Sequence, residues 1–139
     1  MKKITLFTVL LFLFSTFNAC EDEETALIIG KWMFQLVSYE YYEDDLMVDS
    51  GMSSYYEFKY LEFFKGGEGK VWFDEIEYDS FTWRKDGKIL YTDEGTVDEQ
   101  VVDINELSKT ALVFTMSMEE EEGGVVYRYI QEITMSKVN

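Results

Sequence analysis

The side chains best able to do chemistry in this chain are carboxylates, and they come in runs. Asp44, Asp45 and Asp49 lie on one stretch, and Asp74, Glu75, Glu77 and Asp79 on another. Together they offer the six to eight oxygens that a calcium ion takes. The D-x-D-x-D-G spacing of a dedicated calcium loop does not accompany them, so the runs by themselves specify no metal site. Two carboxylates held in different environments, one protonated and one ionised, would hydrolyse a glycoside. Crowded, exposed acids do not set two such groups apart. The chain has no histidine, which removes Ser-His-Asp and Cys-His triads, histidine-ligated zinc and the commonest general base. No residue is assigned a catalytic role, no cofactor is expected, and the chain reads as non-enzymatic.

The single cysteine, Cys20, reads as an address instead of a nucleophile. Upstream stand Met1-Lys2-Lys3, an apolar run from Ile4 to Phe17, then Asn18 and the small Ala19. A charged start, an apolar segment too short to span a bilayer and a small residue before the cut describe an export signal over residues 1–19. A cysteine directly after the cut resembles the lipobox of bacterial lipoproteins, with Phe17 in place of the usual leucine. That resemblance implies lipidation of Cys20 and, since several acyl chains hold a protein durably, a membrane as partner. Glu21 to Glu24 resemble the acidic tag that some Gram-negative lipoproteins carry for export to the outer face of the outer membrane. Residues 20–29 are then a lipidated tether, and residues 30–139 the folded domain.

Charge and composition narrow the partners further. Without residues 1–19 the chain keeps ten basic residues against twenty-eight acids, so nucleic acid is excluded as a partner. The remaining chain of about 120 residues is one domain of ordinary size. With one cysteine there is no internal disulfide, and burial alone must hold the fold. Aromatic residues, at 17%, are plentiful enough to do it.

The elements that must position these groups are short apolar and aromatic runs broken by Gly, Asp and Glu every ten residues or so, the pattern of an antiparallel all-β domain. Eight strands are expected, at Gly30–Tyr41, Tyr55–Phe64, Lys70–Ile76, Phe81–Arg84, Ile89–Thr92, Thr96–Ile104, Ala111–Met118 and Val125–Met135. The first should set Trp32, Phe34 and Leu36 on one face. Tyr42 to Ser53 reads as a long acidic connection, Glu77 to Ser80 as an acidic turn, and Asp86-Gly87 as a tight hairpin. Eight strands with short local connections are most economically closed as an up-and-down β-barrel. A β-sandwich is the alternative, although its crossings call for longer connections.

Gly30-Lys31-Trp32 at the head of the first strand resembles the G-x-W of the lipocalin superfamily. Together with "YLEFFKGGEGKVWF", "FTWRKDGKILY" and "INELSKTALVF", it resembles the small lipocalin-like lipoproteins of Gram-negative bacteria. The T-D-Y segment of lipocalins is missing, since Glu94 follows Thr92-Asp93. The resemblance implies a structural barrel base in which Trp32 plugs the closed end beneath a basic residue from the last strand, here Lys137, beside Gly30.

In such a meander alternate connections fall at alternate ends. "KGGEGK", "RKDGK" and "NELSKT" then share the base with the tether, which suits an anionic membrane. The four opposite loops carry sixteen acids and no basic residue, a mouth that repels anions and favours cations. Phe58, Tyr60, Trp72, Trp83, Tyr91 and Phe114 could line a pocket or fill the barrel, with Tyr41 and Tyr56 at the rim. The expected function is binding of a small hydrophobic or cationic amphipathic ligand at the mouth. The alternative is a cell-surface module with a filled barrel, touching protein or glycan through its acidic, tyrosine-rich rim.

Overall fold

The computed structural model describes residues 23–139; Cys20, the expected leader over residues 1–19 and the first acids of the expected tether lie outside them. A single-turn helix α1 (Glu23–Ile28) precedes nine strands: β1 (Gly30–Glu43), β2 (Leu46–Ser53), β3 (Tyr60–Phe63), β4 (Glu68–Phe73), β5 (Ile76–Asp86), β6 (Ile89–Thr92), β7 (Gln100–Leu107), β8 (Ala111–Glu122) and β9 (Val125–Lys137). All pairings are antiparallel, and β3 to β9 follow one another in order. β1 closes the ring by pairing with β9 from Trp32↔Lys137 to Glu43↔Tyr127. On its other edge the foot of β1 pairs with β3, from Gly30↔Phe63 to Met33↔Tyr60. The result is a closed eight-stranded antiparallel barrel with one extra strand.

That extra strand corrects the expected loop at Tyr42 to Ser53. β1 runs on to Glu43, turns through Asp44 and Asp45, and returns as β2 alongside its own upper half, from Glu43↔Leu46 to Val37↔Ser53. Both aspartates adopt positive φ, 47° and 65°, as a two-residue turn matching strand twist requires. Asp44 also ties the turn to β9: its amide donates to the Val126 carbonyl at 2.9 Å, and its Oδ1 accepts from the Val126 amide at 3.0 Å. β2 and β3 point the same way, one above the other along one edge of β1. The extra strand therefore leaves the alternation of ends intact.

Smaller differences follow from bulges and turn choice. The β1–β9 register shifts between Phe34 and Leu36, so Trp32 and Val37 face the core while Leu36 is 38% exposed. The expected inward Leu36 was thus a parity error of one inserted residue. β5 begins at Ile76 and absorbs Glu77 to Ser80, because the turn lies at Asp74-Glu75 with Asp74 at φ 54°. β3 has only four residues, with Tyr55 to Lys59 crossing irregularly toward it. Residues 93–99 form a loop before β7, which itself continues through Asn105 to Leu107. At the Asp86-Gly87 hairpin only Gly87 takes positive φ; Asp86 is the last residue of β5.

The core is assembled from the inward residues of each strand. Its base holds Trp32, Phe63, Leu112, Ile133 and Met135, each 1% exposed or less, with Ile28 of α1 beneath. Phe63 meets Phe81 and Trp83 edge-on, both at 5.5 Å between ring centres, the favoured geometry for the ring quadrupoles. Gly69 makes room for this cluster: a Cβ there would lie 2.3 Å from Phe81 Cζ.

Candidate functional site

The site follows from where the core stops. Above the packed base, the inward faces of the strands surround a cavity of about 360 Å³. Its lower wall is apolar, with Leu61, Phe63, Val71, Leu90, Val102 and Phe114 among the lining residues. Toward the acidic pole the lining changes to Tyr56, Glu57 and Phe58 from the crossing between β2 and β3, Tyr78 to Ser80 from β5, and Asp93, Asp98 and Gln100 from the loop before β7. Four carboxylates and no lysine or arginine lie on that lining.

The crossing segment is held inside by its rings. Tyr56 stacks on Phe34 at 5.4 Å, and Phe58 meets Tyr56 edge-on at 4.8 Å. The Tyr56 hydroxyl donates to Gln131 Oε1 at 3.1 Å, and Gln131 Nε2 donates to the Tyr129 hydroxyl at 3.1 Å. Burial pushes the Tyr56 phenol up to about 12, helped by the Glu57 charge nearby. Asp93, in turn, accepts from the Thr82 amide at 2.8 Å, which fixes one side of the rim.

Of the aromatic candidates, the structure brings Tyr56, Phe58 and Phe114 to the cavity. Trp83 points inward but is 8% exposed and belongs to the packed base; its Nε1 donates to the Glu68 carbonyl at 2.8 Å. Tyr60, Trp72 and Tyr91 correct the expected lining, since they sit on the outer face. Leu61, Phe63 and Val71 take the inward positions of β3 and β4 instead. Outside, the Lys31 ammonium stands 4.7 Å from the Tyr60 ring and 4.2 Å from the Trp72 ring. Arg84 stands 4.2 Å over Tyr91. Tyr41 lies above the cavity, stacked with Tyr127 at 6.3 Å. Burial is the main cause of its raised pKa. The lining residues Glu57, Leu61, Gln100 and Met116 were not anticipated, although the alternation in Tyr60 to Phe63 was enough to place Leu61 inward.

At the closed end Trp32 is fully buried and its Nε1 donates to the Ile28 carbonyl at 2.7 Å. Lys137 stands 4.4 Å over its ring and donates to the carbonyls of Leu27, at 2.8 Å, and Ile29. Burial lowers the Lys137 pKa. Gly30 lies beneath, at φ 120°, and a Cβ there would sit 2.9 Å from Lys137 Cε.

The acidic pole is less bare than its loops suggest. Cations from outside those loops reach it: Lys59 of the crossing segment pairs with Asp74 at 2.7 Å, Lys70 of β4 with Glu77 at 2.6 Å, and Arg128 of β9 with Asp45 at 3.3 Å. Arg84 clamps both oxygens of Glu94 at 2.7 and 2.8 Å, which raises the arginine pKa and lowers that of the carboxyl. Lys70 and Arg84, expected at the base, lie within β4 and β5 and pair with Glu77 and Glu94 toward the acidic pole. The calcium candidates Asp44, Asp45 and Asp49 stand on the β1–β2 hairpin, and Glu75, Glu77 and Asp79 on the β4–β5 hairpin. Among the described residues no three such groups come together to hold a metal.

Fold and site together define a closed antiparallel barrel with a half-open, acid-rimmed interior. No protein-family model, curated protein or solved structure matches the chain.

Proposed function

We propose that this chain is a lipocalin-like lipoprotein of the bacterial envelope, anchored through Cys20, whose barrel binds a small hydrophobic or amphipathic molecule. The cavity carries this reading. Its volume lies within the range of small-molecule sites, and its combination of an apolar wall with a few polar groups at one end is their usual makeup. A surface module with a solid interior is the competing reading, and an open interior of this size counts against it. Binding instead of catalysis follows from a histidine-free chain whose acids sit at a rim.

Native mass spectrometry of the protein isolated from its own host tests the reading. A retained small molecule, released on collisional activation, is the expected result. An empty barrel that also ignores added medium-chain alcohols would overturn it. Anchoring is tested separately by radiolabelled palmitate, whose incorporation should vanish in Cys20→Ser.

A further inference from the structure

The proposed ligand has a chemical end that the cavity specifies. At the apolar end Leu61, Val71, Leu90, Val102 and Phe114 offer no hydrogen-bonding side chain, so the part of the ligand seated there is hydrocarbon. A volume of about 360 Å³ holds on the order of a dozen heavy atoms, at roughly the 30 Å³ that a water molecule takes in the liquid. At the other end two features converge. The aromatic residues Tyr56 and Phe58 line the same part of the cavity as the acidic residues Glu57, Asp79 and Asp98, and no lysine or arginine lies on the lining.

Each feature alone is ambiguous, since aromatic rings accept many partners and acids are common on this surface. Their combination around one opening is selective. Aromatic faces attract a cation through the ring quadrupole and serve best when the cation is an alkylated, weakly hydrated ammonium. Carboxylates add attraction for the same charge and repel a fatty acid. Resting on the proposed binding function, we infer that the barrel takes an amphipath with an ammonium head: the alkyl chain lies against Val71, Leu90 and Phe114, and the head stays at the mouth between the rings and Asp79, Asp98 and Glu57. Asp93 contributes charge, while its Oδ1 is already engaged by the Thr82 amide.

Isothermal titration of the purified protein with three probes of equal chain length, each below its micelle concentration, tests this. The probes are decyltrimethylammonium, decanol and decanoate. The cation is expected to bind about tenfold more tightly than the alcohol at low salt, the gain fitting one cation–π contact plus exposed carboxylate contacts. The preference should shrink in concentrated salt, and decanoate should bind weakest. Asp79→Asn combined with Asp98→Asn should remove most of the cation preference, with an unchanged circular dichroism spectrum showing that the variant is folded. Equal affinity for cation and alcohol, or tighter binding of decanoate, would overturn the ammonium inference and leave the binding function standing. Failure of all three probes would overturn both.

Discussion

Lys137 lies across the indole of Trp32, its ammonium 4.4 Å from the ring and bonded to the carbonyls of Leu27 and Ile29. One residue from the first strand and one from the last thereby close the base. Trp32→Ala should cost about 3–5 kcal/mol, as large core truncations do, measured by urea unfolding. Lys137→Met, which keeps bulk over the ring but leaves two carbonyls without their donor, should cost about 1–3 kcal/mol. A change near zero in either would mean that the base is not held this way.

Gly69 is present because Phe81 needs the space, its ring atoms lying 2.3 to 2.8 Å from where a Cβ would be. Gly69→Ala should destabilise by about 1–3 kcal/mol through overpacking. Adding Phe81→Leu should give back part of that loss, a coupling visible in a double-mutant cycle.

Tyr56 supplies a pH signature. Its phenol ionises at about 12 in the folded protein against an ordinary value of 10.0. Between those two pH values the unfolded chain has released this proton and the folded chain still holds it. Tyr56's contribution is therefore complete below pH 10 and lost as the pH climbs toward 12. Phenolate absorbance should show a late ionisation step near pH 12, absent in Tyr56→Phe.

The cavity can be filled from its wall. Val71→Trp should occupy the space beside Phe114 and abolish decanol binding, while near-unchanged thermal unfolding shows that the barrel has kept its fold. Full-strength binding by a folded variant would place the ligand elsewhere.

β2 leaves one strand edge without a partner among the described strands, and Leu46 and Met52 on it are 69% and 74% exposed. Edges of this kind pair with other chains unless a charge interrupts them. Met52→Lys should lower concentration-dependent association in sedimentation velocity and shift stability by no more than about 0.5 kcal/mol, as exposed substitutions do.

The barrel was legible from alternation and turn spacing, and the closed end from Gly30-Lys31-Trp32. What escaped reading has local causes. Asp44-Asp45 carries none of the glycine that marks most two-residue hairpins, so the sequence reads as a loop where the chain turns into β2. The bulge beside Gln35 reversed the faces of Leu36 and Val37, which no count of alternating residues reveals. The hydrophobicity of Tyr60, Trp72 and Tyr91 points inward. Lys31 and Arg84 give those rings a favourable place outside, an option that sequence pattern alone does not rank. The cavity wall was within reach through Leu61 and Val71, whereas the space beyond them depends on how eight strands close.

Closure through β1 and β9 joins residue 32 to residue 137, nearly the whole span of the domain. A ribosome emits the first of these long before the second. Until the last strand emerges, β1 has only its hairpin and β3 to hold, and the hydrophobic inner surfaces stay uncovered. Closure of this barrel must therefore wait until β9 has emerged, and a chain stalled before β9 is prey for proteases and chaperones.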